Sequence, residues 1–143
     1  MPTLSCAAMP GQVKTGEQVY QTICSACHRD GVAHAPKVGD RAAWSKLIAE
    51  KQVELTADAW AGTRAMPPKG GATDLSLREF GGAVAYMASQ SGADWQAPDD
   101  AMMVRIRAAA RGALDKKIRQ AQAMRRELDA SPIVVKGGKS PAQ

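Results

Sequence analysis

The chain has 143 residues, of which 45% are hydrophobic, 23% charged and 4% aromatic. This length suits one globular domain with an appendage and excludes a large multidomain enzyme. The formal net charge of +5 belongs to residues 97–143, because residues 1–96 carry nine basic and nine acidic side chains.

The N-terminal segment, residues 1–13, lacks the positive stretch and the apolar core of an export signal. We therefore expect either that the protein stays inside the cell or that a leader precedes Met1. Cys6 could be a lipid anchor or form an intermolecular disulfide, but the simplest expectation is that it has no specific role. The longest apolar stretch, residues 80–88, is too short to cross a bilayer as a helix.

A helix is predicted immediately before a cysteine motif. Thr15 and Gln18 have the spacing of a capping box, so the helix begins at this point and runs into Cys24. Residues 24–28 then read Cys-Ser-Ala-Cys-His, the C-x-x-C-H pattern of covalent c-type haem attachment.

The spacing within this motif suits the chemistry of haem. Cys24 and Cys27 lie on one side of a helical turn, where both sulfurs can form thioethers with the vinyl groups of one porphyrin. His28 follows directly and is carried to the iron, where a neutral imidazole is a good proximal ligand. One covalently bound haem c is therefore the predicted cofactor.

Two other interpretations of the motif remain open. A thioredoxin-like redox site expects a βαβ pattern, but the residues before Cys24 are predicted to be helical and no β-rich run follows. A zinc site needs four ligands, and His34 and the distant Cys6 are the only further cysteine or histidine residues. Haem attachment is the favoured hypothesis.

Met66 is the predicted second axial ligand of the haem iron. It lies in the loop 62–71, where two prolines stiffen the backbone after the methionine and two glycines allow it to turn. A weak thioether ligand requires such a rigid support. Core packing is the alternative role for any methionine.

Three further helices are predicted in the haem domain, which we place at residues 14–96. Asp40 predicts the start of a helix that carries Trp44, and Thr56 predicts the start of a shorter one. A second capping box, Ser76 and Glu79, predicts the last helix. Gly92 is its predicted stop. The domain then has four helices and no strand, so the predicted fold class is all-α.

Residues 97–143 are predicted to form a basic amphipathic helical extension with a disordered end. The helix begins near Pro98 and ends at Ser131-Pro132, which gives a length of about 45 Å. Its apolar residues recur at intervals of three and four: Ile106, Ala110, Leu114, Ile118, Ala121, Met124 and Leu128.

Residues 99–130 offer three possible roles. The helix could pack on a partner helix or another copy, which its alanines favour. It could lie on an anionic membrane surface, although it lacks Trp and Phe. It could instead fold back on its own domain with a solvated charged face. We expect no nucleic-acid partner, because basic charge without a recognised fold is weak evidence.

Residues 15–92 resemble the class I c-type cytochromes, most closely the bacterial c5-like subgroup. The resemblance is based on three stretches: Cys-Ser-Ala-Cys-His at 24–28, the loop 31–40 followed by Trp44, and Ala-Met-Pro-Pro-Lys-Gly-Gly at 65–71. It implies a small class I cytochrome c fold wrapped around one covalent haem.

The resemblance also implies two contacts. The backbone carbonyl of Pro36 would fix the orientation of the His28 imidazole, as partners behind a metal ligand do. The first helix would cross the last closely, and Gly16 and Gly82 suit that contact. His34 departs from the family pattern, and we interpret it as an exposed histidine near the haem edge and not as an alternative iron ligand.

These features predict a one-electron carrier and not an enzyme. An iron held by His28 and Met66 has no open position for substrate, so reversible one-electron transfer with transient redox protein partners remains. Two alternatives are an electron-transfer subunit of a larger oxidoreductase complex, docked through the C-terminal helix, and an open-site haem enzyme if Met66 is not a ligand. The resemblance to bacterial practice predicts a periplasmic location.

Overall fold

The computed structural model describes residues 11–133. Cys6 and the predicted disordered end, residues 137–143, lie outside this range. The helical segments are Gly16–Val19 (α1), a π-helical turn at Tyr20–Cys24, Ser25–His28 (α2), Arg41–Ala49 (α3), Gln52–Ala61 (α4), Leu77–Ser89 (α5) and Asp100–Ala130 (α6). Short 3₁₀ turns lie at Val32–His34 and Pro68–Gly71. Residues 11–133 contain no strand, so the predicted all-α class is confirmed.

The first helical stretch begins at the predicted capping box. The Thr15 hydroxyl accepts a hydrogen bond from the backbone N–H of Gln18, and the Gln18 side chain accepts one from the N–H of Thr15. Helical backbone then continues through α1, the π-helical turn and α2. Val19 in this stretch is fully buried and His28 nearly so. The cysteine motif is therefore packed against the interior of the domain.

The start of α4 differs from the sequence prediction. Thr56 was predicted to cap this helix, but the observed N-cap is Lys51, five residues earlier, and Thr56 lies buried inside α4. Lys51 has a left-handed φ of +76°, which turns the chain directly from α3 into α4. The prediction was wrong because no residue in this turn carries a side-chain cap signal.

The Ser76 capping box of α5 is confirmed, and α5 crosses α1 at very short range. A Cβ atom on Gly16 would lie 2.1 Å from the carbonyl oxygen of Gly82. The rings of Tyr20 and Tyr86 pack beside this crossing with their centroids 5.6 Å apart. The contact implied by the family resemblance is therefore present. Phe80, also on α5, belongs to the hydrophobic core.

The first turns of α6 are part of the domain core. Met103, Ile106 and Ala110 are buried, and α6 packs mainly against α4. The exposed fraction of the apolar residues then rises along the helix, from 40% at Leu114 to 74% at Leu128. The helix ends at Ser131, as predicted. Within residues 11–133, no helix is long and apolar enough to cross a membrane.

Candidate haem site

A largely apolar cavity of about 390 Å³ lies between the cysteine motif and the loop that contains Met66. This volume falls in the range of about 300 to 1,000 Å³ that small-molecule sites occupy. The proximal side supplies Cys27, His28 and Pro36, and the opposite loop supplies Met66. Leu55, Ala59, Val84 and Met87 from α4 and α5 complete the apolar wall.

The His28 imidazole is held in one orientation. Its Nδ1 lies 2.9 Å from the carbonyl oxygen of Pro36 and donates a proton to it, because that oxygen can only accept. The side chain is 8% exposed, and its ring packs against Trp44 with the centroids 6.3 Å apart. In this tautomer Nε2 carries a lone pair, which is the state that a metal-binding imidazole needs.

The loop behind His28 is fixed by hydrogen bonds that the sequence analysis did not identify. The Trp44 indole N–H donates to the carbonyl oxygen of Lys37 at 2.9 Å. The backbone N–H of Gly39 donates to the Ser91 hydroxyl at 2.9 Å, and that hydroxyl donates to the carbonyl oxygen of Met87. Ser91 is buried, so these contacts anchor the loop to the C-terminal end of α5. A lone serine after a helix carries no sequence signal for this role.

The two cysteines of the motif have different surroundings. Cys27 is exposed and lines the cavity, whereas Cys24 is partly buried against the core and does not line it. Burial raises the pKa of the Cys24 thiol to about 11, because the charged thiolate loses hydration. Both thiols are free in this structure.

Met66 is positioned by a tight turn. Its backbone N–H donates to the carbonyl oxygen of Thr63 at 2.9 Å, and the N–H of Thr63 donates back to Met66 at 3.1 Å. Gly62 precedes the turn with a φ of +87°, where a Cβ atom would lie 2.8 Å from the nitrogen of Pro68. Glycine is therefore required at this position for steric reasons.

The segment after Met66 packs back onto the domain. The Lys69 ammonium lies 4.9 Å from the centre of the Trp60 ring, which in turn meets Phe80 edge to face. A Cβ atom on Gly70 would lie 3.6 Å from the Met66 methyl carbon, so the methionine side chain packs closely against this turn. These contacts give the loop the rigidity that the sequence analysis expected.

The alternative uses of the motif have little support in the structure. Across residues 11–133, no three histidine, cysteine, aspartate or glutamate side chains cluster to hold a metal ion. The same residues contain no βαβ unit of the thioredoxin type. His34 is exposed at the cavity with a left-handed φ of +63°.

The donor set and the cavity fit haem c. A buried imidazole with a free Nε2, a thioether and a motif thiol line one apolar space, and the second thiol lies one helical turn away. Imidazole and thioether are the axial ligands of many c-type haems.

Comparison with known proteins gives the same assignment. Residues 11–87, more than half of the chain, match a family described as cytochrome c oxidase, cbb3-type, subunit III. Cytochrome c-555 of Chlorobaculum tepidum is 42% identical over 80 residues, which cover 53% of this chain and 74% of that protein. Cytochrome c5 of Azotobacter vinelandii is 40% identical over 79 residues, which cover 54% of this chain and 95% of that protein.

A solved structure extends the comparison to the fold. A chain from the crystal structure of an electron transfer complex of nitrite reductase with cytochrome c matches with a TM-score of 0.52 and 40% identity. The match covers 57% of this chain and all of the other. Proteins of the class I, c5-like group are electron-transfer proteins with covalently bound haem c and not enzymes. The family match and the two relatives show that this protein belongs to the c-type cytochromes, in that c5-like group.

Proposed function

We propose that this protein is a one-electron carrier with a single haem, attached through Cys24 and Cys27 and ligated by His28 and Met66. The observation that carries this proposal is that His28 and Met66 line one apolar cavity, with the His28 Nδ1–H bonded to Pro36. When bound, the haem supplies reversible one-electron exchange between ferric and ferrous iron.

The chain's own residues would favour this reaction in three ways. Pro36 keeps the proton of His28 on Nδ1, so Nε2 stays available as a ligand. The paired hydrogen bonds between Thr63 and Met66 would fix the position of the thioether relative to the iron. The apolar wall excludes water, which lowers the cost of reorganising the surroundings when the charge changes. If His28 and Met66 both bind the iron, no open position would remain there for a substrate.

The substitution Met66→Ala tests this assignment directly. We expect the ferric protein to lose the weak near-infrared charge-transfer band that reports sulfur ligation, and its midpoint potential to fall, because a thioether favours ferrous iron. The measurement is an absorption spectrum of both oxidation states together with a redox titration of the matured protein.

A matched control uses a methionine on α6. Met124 is 64% exposed, so Met124→Ala should leave the band and the potential unchanged. If Met66→Ala keeps the near-infrared band, Met66 is not the ligand and the site assignment fails. If the haem-loaded, unsubstituted protein lacks the band, an open-site haem enzyme or ligation by His34 becomes the better description.

We further propose that redox protein partners bind transiently and that the distal part of α6 is a docking element. Leu114, Ile118 and Leu128 are exposed on a helix with an excess of basic residues. A partner helix or an anionic membrane surface would suit this composition. The matched family's description as an oxidase subunit favours a second candidate, an electron-transfer subunit of a larger oxidoreductase complex.

The periplasm is the proposed location, because covalent haem attachment of this kind is typical of that compartment in bacteria. Fractionation of cells that express the native gene tests this proposal. Haem-bearing protein in the cytoplasmic fraction alone would contradict it.

A further inference from the structure

Arg64 differs from every other residue around the haem cavity. It alone among the lining residues carries a permanent charge, while most of the others are apolar. Cys27, His28 and His34 are the other titratable side chains at this cavity. Its guanidinium is therefore the one permanent positive charge that this cavity offers to an anionic group of a bound molecule.

The backbone of Arg64 lies in a region that arginine rarely adopts. Its φ is +51°, within the left-handed region that favours glycine. The turn is closed on both sides by the paired hydrogen bonds between Thr63 and Met66. Glycine would fit this turn without strain, so arginine here costs backbone energy, which a contact of its side chain with a bound group would offset.

The charge of Arg64 has no partner within the described part of the chain. Residues 11–133 offer its guanidinium neither a salt bridge nor a hydrogen bond. Lys69, in the same loop, differs because its ammonium lies over Trp60 and donates to the carbonyl oxygen of Thr73. Arg64 is exposed while lining the cavity, so it lies at the cavity mouth.

We infer that the Arg64 guanidinium binds a propionate carboxylate of the haem, an inference that rests on the proposed function. Haem c carries two propionates, which are ionised at neutral pH and face the solvent side of a haem site. The planar fork of arginine matches a carboxylate with two parallel hydrogen bonds. The same turn presents Met66, so Arg64 ties the position of the ligand loop to the edge of the cofactor.

The test compares Arg64→Gln and Arg64→Lys with the unsubstituted, haem-loaded protein. The first readout is the propionate-bending band in the resonance Raman spectrum, whose frequency depends on hydrogen bonds to the carboxylate. We expect Arg64→Gln to shift this band and Arg64→Lys to retain most of its position. The second readout is the midpoint potential. We expect it to fall in Arg64→Gln, because a nearby positive charge favours ferrous iron, and the equilibrium constant for reduction falls by up to about tenfold.

Arg105→Gln is the matched control. Arg105 is exposed on α6 and does not line the cavity, so the variant loses the same net charge and leaves both readouts unchanged. A propionate band that does not move in Arg64→Gln overturns the inference. If Arg64→Gln fails to mature, Arg64→Gly replaces it, because glycine suits the turn.

Failure of this inference is distinct from failure of the proposed function. An unchanged propionate band together with an intact near-infrared sulfur band removes the role of Arg64 alone. A missing sulfur band in the unsubstituted protein instead removes Met66 from the iron.

Discussion

The Glu79 carboxylate joins two parts of the chain that are 65 residues apart. One of its oxygens accepts the backbone N–H of Lys14, and the other accepts the N–H and the hydroxyl of Ser76. These bonds favour the charged form, led by the one from Lys14, and so lower the pKa of Glu79 below its usual 4.5. A residue expected only to cap α5 therefore also holds the segment before α1.

Glu79→Gln is expected to destabilise the haem-loaded protein by about 1 kcal/mol at neutral pH. Because the folded pKa is depressed, the carboxylate stabilises the fold above pH 4.5 and loses this effect as the pH falls through the lower folded value. Denaturant unfolding of both proteins between pH 7 and pH 3 measures the difference. Glu127→Gln, on an exposed part of α6, controls for the lost charge, and a difference that grows at low pH would contradict the account.

Sequence reasoning at the scale of single residues worked where a side chain makes a local contact. Thr15, Asp40 and Ser76 each cap the helix that was expected of them. It did not identify Ser91 or the role of Lys51. The contacts of Ser91 span 52 residues, and the turn at Lys51 depends on a backbone angle that its side chain does not signal.

At the scale of elements, the close crossing of α1 and α5 depends on Gly16. A Cβ atom on Gly16 would collide with the backbone of Gly82, and no change of side-chain packing can relieve a clash with backbone. A Cβ atom on Gly82 would meet Gly16 at an ordinary contact distance of 3.5 Å. The same crossing sets the direction of the helical stretch that ends at His28. Substitution here is therefore expected to affect stability more than its small size suggests.

Gly16→Ala is expected to destabilise the protein by about 3 kcal/mol, because its Cβ would lie 2.1 Å from a backbone oxygen. Gly112→Ala is the matched substitution. No atom lies within 4 Å of the Cβ position at Gly112, inside helix α6, so alanine there stabilises that helix by about 1 kcal/mol. Thermal unfolding of the two variants measures both effects, and equal signs would disprove the packing explanation.

Most helices could be predicted from the sequence, whereas the turns that connect or interrupt them could not. Capping boxes and 3.6-residue periodicity predicted α3, α5 and α6. The π-helical turn at Tyr20–Cys24 was not predicted, because it is a local widening of a helix that keeps the same apolar pattern. The cofactor motif was the most informative part of the sequence, since its spacing specifies chemistry as well as structure.

For the whole molecule, the boundary between the neutral and the basic part of the sequence differs from the boundary of the packed core. The net charge changes after residue 96, but the buried contacts of α6 continue to Ala110. Pro98 also packs against α5, close to Gly81. The predicted division between a haem domain at 14–96 and an extension at 97–143 stays a prediction about charge and composition, while the core includes the first turns of α6.

Removal of residues 114–143 is expected to leave haem attachment, spectrum and unfolding temperature close to those of the full chain. Removal from Pro98 instead uncovers α4 and takes Ile106 out of the core, which costs at least about 3 kcal/mol. Calorimetry measures both truncations. The shorter truncation is then tested for sedimentation with phosphatidylglycerol vesicles and for self-association, and binding equal to that of the full chain would exclude a docking role for distal α6.

The length of the exposed part of α6 limits what this helix can do in electron transfer. Residues 113–130 extend about 27 Å past the packed turns. Electron tunnelling falls off exponentially with distance, so a partner held at the far end of this helix exchanges no electrons along it. If distal α6 binds a partner, as proposed above, the helix would act as a stiff tether that raises the effective concentration of the partner around the haem domain. Partner binding and electron delivery would then use separate surfaces, and each could change in evolution without altering the other.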